Sequence, residues 1–230
     1  MKPRTTTDQP IAPDTVARWR AAAVAIAPLV LLAGFVYHPF LPFLTNPHAA
    51  AEAGSADTVR WGIAHLLVGV GSGFMILAFL GIRSVLREAG EDRWSIRALP
   101  FIVVGSVLYA ILPGMEFTVI AVAETGGDVA AAQMAIEHWF VPVIMTSALT
   151  YAIGVFGFAV GISRSEVFGT GKARVVVIAL VLMALARFVP LGLVQFYVQG
   201  AAGLVALWIV AYEMRPAAVS HGLGRTLPAI

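Results

Sequence analysis

The sequence contains no cysteine. That one absence excludes disulfides, thiolate metal sites, iron–sulfur clusters and cysteine nucleophiles. Charge is also scarce: Asp, Glu, Lys and Arg make up 12% of the residues, against about 25% in ordinary soluble domains. There is no phosphate-binding loop, no Gly-x-Gly-x-x-Gly turn after a strand and no Gly-x-Ser-x-Gly elbow, so nothing points to nucleotide use. Gly69-Val70-Gly71-Ser72-Gly73 is rich in glycine but sits inside an apolar run, where small residues serve helix packing.

The chain is instead rich in apolar residues, which make up 59% of it, with a mean hydropathy of +0.86. A water-soluble protein of 230 residues could not hide that much apolar side chain. The charges fall in short stretches between long apolar runs, as in a chain that crosses hydrocarbon repeatedly. The pI near 9.2 is high, but the net charge is only +2 and the basic residues flank the apolar runs, which argues against a nucleic-acid partner.

The expected fold is all-α: a polytopic bundle of six transmembrane helices in the cell membrane, with both chain ends in the cytoplasm. The helices are expected at about 20–40, 61–83, 98–122, 139–162, 174–190 and 192–212. Residues 1–19, with Pro3, Pro10 and Pro13, read as a disordered tail, and 214–230 as a second tail. Ala49-Ala50-Ala51 could imitate a signal-peptide cleavage site. The apolar run before it reaches Leu44, longer than a signal core of about 7–15 residues, so an uncleaved anchor is expected. The 39 residues from Arg174 to Tyr212 are nearly free of charge. As one helix they would span about twice the bilayer core, and Pro190-Leu191-Gly192 supplies the break.

Orientation follows from the basic residues. With the amino terminus inside, Lys2, Arg4, Arg18, Arg20, Arg83, Arg87, Arg93, Arg97, Arg164, Lys172, Arg174, Arg215 and Arg225 all fall on the inner side. That is 13 of the 15, and only Arg60 and Arg187 lie at outer ends. Gly81-Ile82-Arg83-Ser84 echoes Gly161-Ile162-Ser163-Arg164-Ser165, a faint sign of repetition.

Polar side chains collect at the outer ends of the helices: His38, His65, Glu116, Glu137-His138, Arg187, Gln195 and Gln199. Polar groups at such depth are costly and face the bundle interior, a cavity or one another. Three stripes lead inward at helical spacing. They are Ser106, Tyr109, Pro113 and Glu116; His65, Gly69, Ser72 and Gly73; and Ser147, Thr150, Tyr151 and Gly154. They predict an outward-opening pocket, with Arg187, Gln195, Ser72, Ser147 and Tyr151 as ligand-binding residues. Helix packing explains the small and hydroxyl positions equally directly, through Gly69-x-x-x-Gly73 and Gly157-x-x-x-Gly161. Trp61, Trp139, His38 and His138 also suit a membrane interface. An ion pair between Glu116 and Arg187 is the structural alternative to a functional Glu116. Asp128–Glu137 suggests a short surface helix capped by Asp128, and His48 falls in a loop.

The expected ligand is a small lipophilic molecule drawn from the lipid phase. A carboxylic acid in an apolar cleft is a credible proton donor or acceptor near neutral pH. Glu116, with His65 as partner and Tyr109 orienting the substrate, could serve isomerisation or cyclisation of an isoprenoid-like compound. No cofactor is predicted. His38, His65, His138 and Glu116 are the set that a divalent metal would use, and two opposed histidines could hold a haem. No His-x-x-x-His or His-Glu-x-x-His motif supports either. A transporter fits less well, because the inner half lacks polar groups. An accessory subunit with a polar rim is a further alternative.

Overall fold

The computed structural model describes residues 13–215; of the expected tails at 1–19 and 214–230, residues 1–12 and 216–230 lie outside the described residues. Seven α-helices follow one another: α1 (Pro13–Tyr37), α2 (Pro47–Ala56), α3 (Thr58–Glu88), α4 (Arg93–Glu124), α5 (Val129–Ser165), α6 (Gly169–Ala186) and α7 (Gln199–Glu213). A π-helical segment, Leu193–Val198, leads directly into α7. Six spans are long and apolar enough to cross a membrane: α1, α3, α4, α5, α6 and the joined Leu193–Glu213. Only 39% to 44% of each span's most apolar window is buried. The remainder forms an apolar outer surface, which hydrocarbon tolerates and water does not. The protein is therefore a multi-pass membrane-helix bundle.

The helices run longer than the apolar stretches alone suggest. α1 begins at Pro13, so residues 13–19 are helical rather than tail; proline is well placed in a first turn, where its missing N–H costs nothing. α5 is one helix of 37 residues, about 55 Å long and well beyond a hydrocarbon core of ~30 Å. The expected surface helix at Asp128–Glu137 is thus the projecting start of α5. Asp128 does cap it, accepting from Ala131 N–H at 2.9 Å. α2 is unanticipated and places His48 in a helical first turn rather than a loop; Asn46 caps it by accepting from the N–H of His48 and Ala49.

Glycines set the closest helix contacts. A Cβ on Gly105 would lie 2.6 Å from the Tyr151 backbone nitrogen, and one on Gly157 would lie 2.6 Å from the Ala98 Cβ, so α4 and α5 touch backbone to backbone. Gly71 lies against Leu31 and Gly34 against Val68, joining α3 to α1. The expected Gly69-x-x-x-Gly73 motif makes no close approach: a Cβ on Gly73 would meet nothing within 4 Å, and one on Gly69 would only touch Pro113 and Ala110 of α4 at 3.9 and 4.0 Å. Gly71, one helix face away, makes the contact instead. Phe79 packs edge-on against Phe158 at 4.8 Å in the buried centre.

The two ends of the bundle differ. At the end shared by the start of α1 and the finish of α7 stand three ion pairs: Arg20–Glu88 at 2.7 Å, Arg83–Asp92 at 2.8 Å and Lys172–Glu213 at 2.7 Å. They lie near the surface and contribute little each. At the far end, the loop after α1 and the break after α6 are joined. Leu44 N–H donates to the Pro190 carbonyl at 3.0 Å, and Gly192 N–H donates to the Pro42 carbonyl at 3.2 Å. Gly192 has no room for a side chain, since a Cβ would collide with the Leu41 carbonyl. This join fixes Arg187 and the π-helical segment beside the end of α1.

Candidate ligand cavity

A cavity of about 440 Å³ lies at the far end, walled by α1, α3, α4, α5 and the π-helical segment, with α2 and the loop before it across the top. His65, Tyr109, Glu116, Arg187 and Gln195 all line it. Ser72, Ser147 and Tyr151 are buried but do not. Ser72 Oγ donates to the Val68 carbonyl within its own helix at 2.8 Å. Ser147 Oγ donates to the Gly105 carbonyl at 2.8 Å and ties α5 to α4. These hydroxyls hold helices and do not reach the cavity.

Glu116 hangs from α4, near the helix end. Its Oε2 accepts from Gln133 Nε2 at 2.7 Å, and its backbone carbonyl accepts from the Trp61 indole N–H at 3.3 Å. The expected ion pair with Arg187 is absent among the described residues. Tyr109 is seven residues before Glu116, about 10 Å along the helix, and the guanidinium is held at the Tyr109 level. Gln133 falls in the expected surface helix at Asp128–Glu137, and nothing in the sequence sets that helix against Glu116.

His38 and His65 meet at the end of α1, with ring centroids 4.9 Å apart. His38 Nδ1 bonds the Pro39 carbonyl at 2.6 Å and His65 Nδ1 bonds the Trp61 carbonyl at 2.7 Å. A carbonyl can only accept, so each Nδ1 carries a proton, and in the neutral imidazole each Nε2 keeps its lone pair. Trp61 packs on both rings, at 4.8 Å from His38 and 4.7 Å from His65. Phe196 covers the other side of His38 at 5.0 Å and stacks on Phe35 at 5.1 Å. Trp61 is 1% exposed and His38 6%, so both are buried within the bundle. His138 is exposed on α5, with its ring 5.2 Å from that of Trp139.

Arg187 follows the last turn of α6 and is 2% exposed. Its guanidinium carbon lies 3.7 Å from the Tyr151 ring centre and 4.1 Å from that of Tyr109. No carboxylate pairs with it among the described residues, and its Nε and Nη1 are buried without a hydrogen-bond partner. The Gln195 and Gln199 amides face the Tyr109 hydroxyl, while neither amide atom of Gln199 completes a hydrogen bond. The π-helical turn is what points Gln195 and Phe196 inward, the usual setting of such bulges being a functional site.

The rim reaches two surfaces. Thr45 and Glu137 are exposed at the end of the bundle. Val141, Met145 and Phe188 are 45%, 44% and 41% exposed on its apolar side.

For a metal, the proposed set does not come together: His138 is outside the cavity, and no group of three or more His, Asp or Glu among the described residues is placed to hold an ion. The two neighbouring histidine rings are also too close for an iron between them at about 2 Å from each nitrogen. Compared with known protein families, curated proteins and solved structures, the chain matches none.

Proposed function

We propose that this protein is a membrane-embedded acid–base enzyme acting on a small, unsaturated lipophilic molecule. One observation carries the proposal: Glu116, with no cation paired to it among the described residues, shares an aromatic-walled cavity with His65. The opening beside Val141, Met145 and Phe188 suits a molecule arriving from hydrocarbon rather than from water.

The chemistry is an isomerisation without net change of composition. The Glu116 carboxyl gives its proton to a carbon–carbon double bond, leaving a carbocation on the ligand and a carboxylate on the protein. The faces of Trp61, Phe35 and Phe196 stabilise that cation through their ring quadrupoles. His65 Nε2 removes a proton from a neighbouring carbon, a new double bond forms, and the proton returns to Glu116. Gln133 holds the carboxyl in place throughout.

The test is to incubate the protein in deuterium oxide with a lipid extract from its host membrane, then recover the extract for mass spectrometry. A compound that gains deuterium with the wild type and not with Glu116→Gln is the expected result. If no compound exchanges with either protein, acid–base catalysis falls. A ligand that co-purifies unchanged would then make the cavity a carrier site.

A further inference from the structure

We propose that the ligand carries an anionic group, a carboxylate or a phosphate, and that Arg187 receives it at the cavity floor. The inference deepens the proposed function and rests on its claim that the cavity takes a ligand. Burying a guanidinium carries a desolvation penalty that persists after its surroundings relax. Its two tyrosine faces return only part of it through cation–π attraction, which leaves the charge under-compensated. The natural partner would be a carboxylate of the chain, yet Glu116 is spent on Gln133 and sits about 10 Å higher along α4.

The geometry is that of a receptor for an anion. The guanidinium carbon lies over the rings of both Tyr109 and Tyr151, at 4.1 and 3.7 Å, contacts that satisfy none of its N–H donors with an oxygen. Two of its three nitrogens are buried without a partner, and the residue lines the cavity beside Gln195. A planar fork with free donors binds carboxylate or phosphate oxygens in pairs, which a lysine on the same stem could not do. The apolar wall formed by Val68, Leu112 and Phe140 runs from this floor toward Glu116. An amphiphile anchored at Arg187 therefore lays its hydrocarbon against the carboxyl, and Arg187 sets which bond is presented to Glu116.

The test measures dissociation constants by native mass spectrometry in a non-ionic detergent for decanoate, decyl phosphate and decanol. Wild type is expected to hold at least one anion roughly tenfold or more tighter than decanol, as a charge-assisted pair should. The preference should shrink in Arg187→Lys and vanish in Arg187→Gln, while decanol affinity stays level. Whichever anion binds tighter assigns the carboxylate or the phosphate. Equal binding of decanol and both anions to wild type overturns this inference and leaves the cavity's ligand role intact. If none of the three binds, or if they bind and Leu112→Trp leaves every affinity unchanged, the lipophilic-ligand reading of the cavity itself fails. The wild-type comparison holds even if Arg187→Gln does not fold.

Discussion

The guanidinium of Arg187 rests 3.7 Å above the ring of Tyr151, a residue that is itself fully buried. This contact is built by helix packing. Gly105 lets α4 meet the Tyr151 backbone, and Ser147, one turn earlier on α5, is bonded to the Gly105 carbonyl. The break at Pro190 ends α6 so that the arginine can turn inward. Small residues in the bundle centre thus determine where the buried Arg187 guanidinium lies.

The ring face, more than the hydroxyl, is what holds Arg187. Tyr151→Phe keeps the face and loses only a 3.9 Å contact from the hydroxyl to Met183 Sδ. It should cost well under about 1 kcal/mol. Tyr151→Leu removes the face and should cost about 2 kcal/mol or more, from the lost cation contact and the cavity it leaves. Thermal unfolding in a mild detergent checks both, and equal losses would assign the support to the hydroxyl.

Gln133 is the only side chain bonded to the Glu116 carboxyl among the described residues. Gln133→Leu should leave that carboxyl unpartnered and destabilise the bundle by about 1–3 kcal/mol. Glu116→Gln can keep an amide-to-amide bond, so its stability should change little while deuterium exchange into substrate is lost. Measuring melting and exchange on the same two variants separates the structural part of the contact from the chemical part. Loss of exchange in Glu116→Gln together with collapse of the fold would remove the case for a catalytic carboxyl.

Two glycines of similar sequence context should answer oppositely to alanine. Gly105→Ala puts a methyl 2.6 Å from the Tyr151 nitrogen, within backbone that has no flexible end to yield. A loss of at least about 2 kcal/mol is expected, with α4 and α5 forced apart. Gly73→Ala meets nothing within 4 Å and should be neutral or stabilising by up to about 1 kcal/mol through helix propensity. Unfolding midpoints of the pair are the measurement; a destabilised Gly73→Ala would mean that this face contacts another chain.

Much of this bundle is legible in its sequence, and the parts that are not share a cause. Long apolar runs separated by charge define six crossings because hydrocarbon leaves the backbone few alternatives. Glu116, His65 and Arg187 stand out because ionisable groups are rare there. Hydropathy ends where polar residues begin, however, so it hides α2 and the continuity of the Asp128–Glu137 helix with the span that follows, which is what brings Gln133 to Glu116. Nor can a periodicity tell which glycine meets a neighbour: Gly69, Gly71 and Gly73 look alike until α1 is placed against α3. Arg187 and Glu116 invite pairing by charge alone. Arg187 is held at the level of Tyr109, seven residues from Glu116 along α4, and the two tyrosine faces decide otherwise.

The absence of cysteine makes the orientation testable with single introduced thiols. Thr45 and Thr125 are exposed at the cavity end, and Ala89 is exposed at the opposite end. The distribution of basic residues predicts the cavity end outside and the chain ends inside. In intact expressing cells, a membrane-impermeant maleimide should therefore label Thr45→Cys and Thr125→Cys, and should reach Ala89→Cys only after permeabilisation. The reverse pattern would turn the bundle over and make the cytoplasmic leaflet the source of the ligand. Labelling of Thr45→Cys and Thr125→Cys from opposite sides would be incompatible with six crossings, because an even number of spans separates the two positions. With the predicted result, Glu116 and Arg187 face molecules held in the outer leaflet, and substrates should be sought there.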